Sequence, residues 1–317
     1  MTWKPYYRGD GEQRQTPLEA PPPWRTFPRV SQHEQYQPPP GLVDAVNAAL
    51  HLRRPLLVTG PAGSGKSTVI EQVAHELGLG QVLRWHITSR STLAEALYRY
   101  DALGRIHAQN LGTSTRHRIG ARDRRGRDDI APFLQLGPLG TALLPTEPPR
   151  ALLIDEIDKS DLDLPSDLLE VLERGEYEIP ELVRYRRPAV AVRQWESRET
   201  HVIERGFVRC TQFPFIVLTS NGERDFPPAF LRRCIRYTMP QLTAAMLGDI
   251  VRAHLGRAED EGAHALIEEF ADRVGRGDHL AVDQLLNAVS LLTGDQAPYG
   301  EQRDDLRALL LRELARD

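Results

Sequence analysis

The sequence predicts an α/β fold in which a parallel central sheet is followed by a small α-helical domain. Three observations lead to this prediction. Continuously apolar strands, typical of parallel strands covered on both faces, occur at residues 55–59, 151–154 and 215–218. After the first strand, apolar residues repeat with the period of a helix, at positions 69, 70, 73, 74 and 77. From residue 242 onward the pattern is helical, with segments at 263–274, 282–292 and 306–314.

Composition limits the classes of protein to which the chain can belong. Its 317 residues and 40% apolar content suffice for one large or two modest domains. It has no run of 18 apolar residues and no apolar signal core, so we expect a soluble, cytoplasmic protein without a membrane partner. A net charge of -4 argues against general affinity for nucleic acid. The two cysteines, Cys210 and Cys234, fit no disulfide framework or metal spacing and are expected to be ordinary buried thiols.

The chain divides into three parts. Residues 1–40 carry triple-proline runs and indicate an extended N-terminal arm, which aromatic residues can anchor on a neighbouring surface: Trp3, Tyr6, Tyr7, Trp24 and Phe27. Residues 41–240 carry the α/β pattern, and residues 241–317 form the helical domain. Within 41–240 the expected elements are, in order, a helix at 41–52, the strand at 55–59, a helix at 68–77 ended by Gly78, a strand at 81–88, a helix at 93–104, a polar arginine-rich stretch at 105–129, the strands at 151–154 and 215–218, and a last strand at 235–239.

The loop between the first strand and its helix fits the phosphate-binding pattern G-x-x-x-x-G-K-S/T at every position. Its residues are Gly60, Pro61, Ala62, Gly63, Ser64, Gly65, Lys66, Ser67 and Thr68. Glycines let backbone N–H groups close around phosphates, and the helix N-terminus adds positive potential. The pattern therefore predicts binding of a nucleoside triphosphate, with Lys66 on the β and γ phosphates and Ser67 holding Mg²⁺.

Lysine usage supports this interpretation. Of 40 basic residues, only Lys4, Lys66 and Lys159 are lysine, so the chain uses arginine almost wherever a positive charge is required. The loop needs a compact ammonium on a thin stem, because a guanidinium fork would not fit between backbone and phosphate.

Two acidic residues end the strand at 151–154. Ligands of doubly wound sheets lie at the carboxyl ends of the strands, so Asp155 and Glu156 are expected to face the phosphate loop. Asp155 suits the magnesium shell, and Glu156 suits a base that orients the attacking water.

Further candidate residues follow the next strand. Asn221 can bridge water and the γ phosphate through its amide, although the pair Asn221-Gly222 is equally a turn signal. Arg232 and Arg233 precede the last strand. Paired arginines are usually solvated surface, but here they can supply charge to a phosphate across a subunit boundary.

Taken together, these residues resemble the AAA+ ATPases and, more closely, their MoxR branch. The resemblance spans about residues 41–290. It is carried by four blocks, of which the first and third are the most specific: Arg54-Pro55-Leu56-Leu57-Val58-Thr59-Gly60, Leu136-Gly137-Pro138-Leu139-Gly140, Ile154-Asp155-Glu156-Ile157-Asp158-Lys159 and Phe230-Leu231-Arg232-Arg233-Cys234. The resemblance implies an AAA+ P-loop NTPase core with a helical lid at 241–317, ATP and Mg²⁺ as cofactors, and a homo-oligomeric ring of six subunits with ATP hydrolysed at the interfaces.

The resemblance also implies roles for single residues. Asn221 matches the sensor-1 position, and Arg233 matches an arginine finger, with Arg232 as the alternative. The stretches at about 105–150 and 177–213 correspond to the helix-2 insert and to the hairpin before sensor 1, which usually face the ring pore or a client. The lid helix that often supplies a sensor-2 arginine has no basic residue at its start, so either sensor 2 is absent or Arg276 replaces it.

Three functions remain open. The leading one is an ATP-driven, chaperone-like machine that remodels a protein partner, and MoxR-like ATPases are often associated with partners that carry a von Willebrand A domain. The second is a nucleic-acid translocase or restriction-type motor, since residues 105–127 hold seven arginines and one acid; stimulation of hydrolysis by DNA or RNA would distinguish it. A mobile solvated loop is the favoured explanation of those arginines. The third is a nucleotide-gated scaffold with slow turnover.

Overall fold

The computed structural model describes residues 6–13, 15, 17–18, 20–26, 36–114, 129–255, 260–278, 280–293 and 297–312, with the backbone alone at 110–114. The chain separates into two compact units. The larger unit comprises residues 38–59 and 67–238, and the smaller comprises residues 1–37, 60–66 and 239–317.

The strands are, in chain order, β1 (Leu56–Thr59), β2 (Leu83–His86), β3 (Tyr98–Tyr100), β4 (Leu134–Leu136), β5 (Ala151–Asp155), β6 (Glu176–Glu178), β7 (Ala189–Arg193), β8 (Thr200–Glu204), β9 (Phe207–Arg209), β10 (Phe215–Ser220) and β11 (Ile235–Thr238). The helices are α1 (Leu42–Leu52), α2 (Thr68–Glu76), α3 (Leu93–Leu97), α4 (Ala102–Ser114), α5 (Pro138–Ala142), α6 (Leu164–Arg174), α7 (Pro180–Val183), α8 (Pro228–Leu231), α9 (Ala244–Leu255), α10 (Glu261–Gly275), α11 (Val282–Leu292) and α12 (Glu301–Leu310).

A parallel sheet forms the centre of the larger unit. Its strands lie in the order β11, β1, β10, β5 and β2, and every neighbouring pair is parallel. All six residues of β10 are buried, as are the first four of β5. Continuous burial explains why these strands are apolar along their whole length rather than alternating. The expected central strands are therefore confirmed, within one or two residues at each end.

A second, mostly antiparallel sheet is built from the segments on either side of β5. Its strands lie in the order β3, β4, β7, β8, β9 and β6. The β7–β8 hairpin pairs Val192 with His201, and the short β8–β9 turn pairs Glu204 with Phe207. Along β7 and β9, buried valines alternate with exposed residues, as expected for strands with one face on the core.

The expected single helix at 93–104 is wrong. Helix α3 ends at Leu97, and β3 follows directly and pairs antiparallel with β4. The alternating Tyr-Arg-Tyr sequence favours the extended form once a partner strand is available. A new helix, α4, then starts after Asp101, whose carboxylate accepts a hydrogen bond from the backbone N–H of Gly104 at 2.8 Å.

Between residues 244 and 312, the described part of the smaller unit consists of four helices and the loops that join them. Helices α9 to α12 enclose a core that includes Leu247, Phe270, Leu285 and Val289, all nearly or fully buried. Part of the N-terminal arm packs on this core: the Trp24 indole N–H donates to Asn287 Oδ1 at 3.3 Å. Of the other arm aromatics, Tyr6 and Tyr7 are exposed, whereas Trp3 and Phe27 lie outside the described residues.

The segment expected to be helical at 306–314 is instead Glu301–Leu310, which begins one and a half turns earlier. Its first turns are rich in charge and carry no apolar repeat, so the periodicity missed them. In the part of the chain that the structure describes, no helix has the length and apolar character needed to cross a membrane.

Candidate active site

The phosphate loop, residues 60–66, belongs to the smaller unit and joins β1 to α2 along the chain. All three of its glycines have positive φ, 150° at Gly60, 76° at Gly63 and 82° at Gly65. A Cβ at Gly63 would lie 2.8 Å from the Cβ of Val282, and one at Gly65 would lie 2.9 Å from the ring of Tyr36. Backbone conformation and close neighbours therefore both require glycine at these positions.

Lys66 is folded back into the loop. Its side chain is buried, and its ammonium donates to the carbonyl oxygens of Gly60 and Pro61, both at 2.8 Å. A buried ammonium needs such partners, because desolvation without them would be costly. The ammonium is thus held beside the loop backbone, where the pattern places phosphate oxygens.

The carboxylate of Asp155 joins the start of α2 to the end of β10. Its Oδ1 accepts hydrogen bonds from the Ser67 hydroxyl at 2.9 Å and from the Thr219 hydroxyl at 2.6 Å. Thr219 is fully buried and in turn accepts a hydrogen bond from the backbone N–H of Glu156 at 2.9 Å. The structure therefore brings the two predicted magnesium ligands together, and it adds Thr219, which the sequence analysis missed.

Glu156 has a left-handed backbone, with φ 58° and ψ 49°, and starts the 3₁₀ helix Ile157–Lys159. Three groups surround its carboxylate. Lys159 Nζ lies 2.8 Å from Oε2, His86 Nε2 lies 3.6 Å from Oε2, and Asn221 Nδ2 lies 3.4 Å from Oε1. The predicted base and the predicted sensor are thus in contact, because β5 and β10 are neighbouring parallel strands and Glu156 and Asn221 each directly follow one of them.

Asp158 fixes the loop that carries Asn221. It is buried, and its Oδ2 accepts hydrogen bonds from the backbone N–H groups of Asn221 at 2.9 Å and Glu223 at 3.1 Å. These bonds oppose rotation of the turn after β10, so the Asn221 amide is presented to Glu156. Asp158 lies within the third motif block of the resemblance, but the sequence analysis gave it no role.

The two arginines before β11 differ in their surroundings. The guanidinium of Arg233 forms an ion pair with Glu173 on α6 and donates to the carbonyl of Ala229 at 3.2 Å. The side chain of Arg232 is exposed, and its carbonyl accepts from Arg54 at 3.1 Å. The described contacts of Arg233 therefore lie on α6 and α8 rather than on Asp155 or Glu156.

A cavity of about 630 Å³ lies within the larger unit beside the turn after β10. Its walls include Thr59, Ser220 and Thr238 at the carboxyl ends of β1, β10 and β11, Arg224 after β10, and Cys234, which immediately precedes β11. Burial raises the pKa of the Cys234 thiol to about 12, and burial also raises the pKa of Cys210. Both cysteines are free thiols that stay protonated; Cys234 is buried as expected, whereas Cys210 is only half-buried.

The arginine-rich stretch and the start of the lid helix are only partly covered by the described residues. Residues 115–128, which carry most of the arginine-rich stretch, lie outside the described residues. Arg276, the alternative sensor 2, is exposed and lies 3.8 Å from Asp272 in the same unit. His279, at the start of the lid-helix segment, is also outside the described residues.

Comparison with known proteins places this site in a family. A family model for the AAA domain (dynein-related subfamily) matches residues 55–234, more than half of the chain. No curated protein matches the chain. Two solved structures of NtrX from Brucella abortus, in complex with ATP and with ADP, are 15% and 16% identical over 85% and 87% of this chain, with TM-scores of 0.41 and 0.42. This chain covers 54% of each NtrX chain, so it spans about half of their length.

The matched residues run from the strand before the phosphate loop to the residue before β11. They include four of the five strands of the parallel sheet, all but β11, together with the phosphate loop, the pair Asp155 and Glu156, and Asn221. Helices surround the sheet, and a helical region follows it in the chain. This is the AAA+ P-loop fold with a helical lid, as expected from the sequence. The chain belongs to the AAA+ ATPase family, in the dynein-related subfamily of AAA domains.

Proposed function

We propose that this protein binds and hydrolyses ATP. The observation that carries the proposal is the contact between the Glu156 carboxylate and the Asn221 amide, 3.4 Å apart at the ends of neighbouring strands. An acid that accepts a proton from water, beside an amide that holds water and phosphate oxygen, is the arrangement that hydrolysis of a phosphoanhydride requires.

Mg²⁺ fits the residues beside this pair. Ser67 Oγ and Asp155 Oδ1 are hard oxygen donors 2.9 Å apart, and hydroxyl and carboxylate oxygens are the ligands that Mg²⁺ prefers. When bound, the ion would neutralise phosphate charge. Ser67 directly follows Lys66, so the residue proposed for the metal and the residue proposed for the β and γ phosphates are consecutive in the chain.

The remaining roles follow from the charges and hydrogen bonds of each side chain. Glu156 takes the proton of the attacking water, and Asn221 orients that water against the γ phosphate. The backbone N–H groups of residues 60–68 and the ammonium of Lys66 bind the phosphates. Thr219 holds Asp155 and the Glu156 backbone in register through two hydrogen bonds.

We further propose a MoxR-type machine, a homo-oligomeric ring of six subunits that remodels a protein partner. The support is the resemblance of the motif blocks together with the position of Arg233, which contacts α6 and α8 of its own subunit. An arginine whose described contacts are with other residues than its own base suits a finger that acts on a neighbouring subunit, and Arg232, which is exposed, is the alternative. A partner with a von Willebrand A domain is the client class that the resemblance suggests.

Purified protein and its Lys66→Ala variant test nucleotide binding. We expect calorimetry to detect ATP binding by the wild type and none by Lys66→Ala, since the phosphates lose the loop's ammonium. Retained affinity in the variant would refute the assignment of the loop.

ATP should also be preferred over GTP, because the sequence holds no Asn-Lys-x-Asp guanine-reading motif after β5. A larger kcat/KM for GTP would contradict this, and stimulation by DNA or RNA would favour the translocase alternative.

A further inference from the structure

Three arginines lie together at the β7–β8 hairpin. They are Arg99 on β3, Arg150 directly before β5 and Arg193 at the end of β7. In the part of the chain that the structure describes, none of the three forms an ion pair, whereas Arg209 on β9 is paired with Glu176. A group of guanidinium charges without acidic partners is a place at which an anion can bind.

Neutral groups hold two of these arginines in place. The guanidinium of Arg99 lies over the indole ring of Trp195, 5.2 Å from the ring centroid. Arg193 Nη2 donates a hydrogen bond to Gln135 Oε1 at 3.0 Å. Such partners fix the position of a guanidinium without cancelling its charge.

The third arginine, Arg150, is half-buried, and its Nη2 donates to Gln194 Oε1 at 2.8 Å. Burial lowers the pKa of Arg150 and the charge of Glu199 opposes this decrease, so the guanidinium stays charged. Burial, followed by the charge of Arg150, lowers the pKa of His201, so this imidazole is neutral at pH 7. The potential at His201 is therefore positive in spite of Glu199.

Strand pairing brings the exposed arginines into one row. Arg99 is opposite Gln135 across β3 and β4, and Gln135 is opposite Arg193 across β4 and β7. Gln135 Nε2 also donates to the carbonyl oxygen of Gln194 at 3.5 Å, which ties the row to the hairpin turn. The side chains of Arg99 and Arg193 are exposed, and their backbones lie two strand spacings apart, about 10 Å.

Hydrogen-bond donors outnumber acceptors around this row. The indole N–H of Trp195 and the Nε–H of Arg150 are buried and have no hydrogen-bond partner within the described residues. Each guanidinium has five N–H groups and no acceptor, whereas a carboxylate only accepts. Carboxylates therefore complement the row in charge and in hydrogen bonding, and they can bind an arginine through two parallel hydrogen bonds.

We propose that Arg99 and Arg193, with Trp195 as the support of Arg99, form a binding site for an acidic segment of a protein partner. This inference rests on the proposed function, because it gives the chemistry by which the remodelled partner is bound. Acids two residues apart in an extended segment are about 7 Å apart, within reach of two long side chains on this row. Arginine and tryptophan are also the residues that contribute most to protein interfaces.

The same observations disfavour nucleic acid as the occupant. One face of the Trp195 ring is covered by Arg99, and the ring packs against the hydrophobic core, which argues against stacking on a base. The net charge of -4 gives the chain no general attraction for a polyanion.

Fluorescence anisotropy with a labelled peptide of alternating glutamate and serine tests the site in full-length, nucleotide-free protein. The wild type should bind this peptide, more weakly as salt is added, and should not bind the matching peptide of glutamine and serine. Arg99→Gln and Arg193→Gln should each weaken the Kd about three- to fivefold, the range of an exposed ion pair. Arg99→Lys keeps the charge and should still weaken binding, because an ammonium lacks the planar fork that stacks and bonds twice.

Arg209→Gln is the matched control. It removes the same charge from the same sheet, but from an arginine that already has an acidic partner, Glu176. The Kd of this variant should stay within about twofold of the wild type.

Three results would overturn the inference: equal weakening by Arg209→Gln, no peptide binding by the folded wild type, and tighter binding of single-stranded DNA with the same dependence on Arg99 and Arg193. The last would assign the row to nucleic acid. Because the assay contains no ATP, it is independent of hydrolysis. A protein that hydrolyses no ATP but binds the peptide through these arginines would defeat only the proposed function, and an active ATPase that binds no peptide would defeat only the site.

Discussion

The residues of this site differ in how far along the chain their contact partners lie. Ser67 and Asp155 belong to contiguous motifs, and the sequence alone predicted that these two side chains lie together, as their hydrogen bond at 2.9 Å shows. Thr219 was missed, because its role depends on Asp155 and Glu156, more than sixty residues away, and is created by the pairing of β5 with β10. A threonine near a strand end has no local signature.

Thr219 provides a prediction at this scale. Thr219→Val keeps the side-chain shape but removes the hydroxyl that bonds Asp155 and the Glu156 N–H. We expect urea unfolding to show a loss of about 1–3 kcal/mol, because buried polar groups lose their partner, together with slower ATP hydrolysis. Thr200→Val, at an exposed position of β8, is the control. Equal stability of Thr219→Val and wild type would argue against this network.

The glycines of the phosphate loop provide a second prediction about single residues. Gly63→Ala should weaken ATP binding and lower the Tm, because the new Cβ would meet Val282 at 2.8 Å in addition to adopting φ 76°. Gly78→Ala is the matched control, since Gly78 also has positive φ but no atom within 4 Å of the added carbon. The control should show only the backbone strain, about 1–2 kcal/mol. If both variants behaved alike, close packing of the loop would be refuted.

The observed helices and strands agree with the sequence prediction where a single hydrophobic periodicity continues without interruption. Helix α11 has the bounds expected from its apolar repeat, and β1, β5 and β10 match their apolar runs closely. The region from 93 to 114 did not follow, because β3 exists only through its pairing with β4, thirty-six residues later in the chain. Non-local pairing of this kind leaves little trace in a short segment.

Asp101 marks the restart of the helix after β3. Its carboxylate bonds the Gly104 N–H at 2.8 Å as the N-cap of α4. Asp101→Ala should reduce the free energy of unfolding by about 1 kcal/mol, whereas Asp101→Asn should be nearly neutral, because both asparagine and aspartate cap helices well. Chemical denaturation of the three proteins provides the comparison. Equal losses in both variants would contradict a capping role.

At the scale of the whole molecule, the assignment of Arg233 requires more than one subunit. Arg233 pairs with Glu173 on α6 in its own chain, so its proposed action is on the ATP of a neighbour. An arginine finger can be worth about 10³ to 10⁵ in kcat. Arg233→Ala should therefore bind ATP normally and hydrolyse it poorly.

Mixing two inactive variants tests this action between subunits. Lys66→Ala lacks the phosphate site and Arg233→Ala lacks the finger, so a mixed assembly contains some interfaces with both parts intact. Partial recovery of ATPase activity is expected. Full activity of Arg233→Ala alone, or a mixture that stays inactive despite co-assembly shown by light scattering, would count against the assignment and favour Arg232 or a monomeric enzyme.

Hydrolysis by Glu156 is the central claim, and replacement of its carboxylate tests it most directly. Glu156→Gln keeps the size and the hydrogen-bonding oxygen but cannot accept the proton of water. The variant should bind ATP with a Kd close to that of the wild type, while its single-turnover rate falls by about 10² to 10⁴. Glu170→Gln, an exposed glutamate on α6, should leave the rate unchanged. Single-turnover hydrolysis by Glu156→Gln at the wild-type rate would contradict the account and assign the base elsewhere.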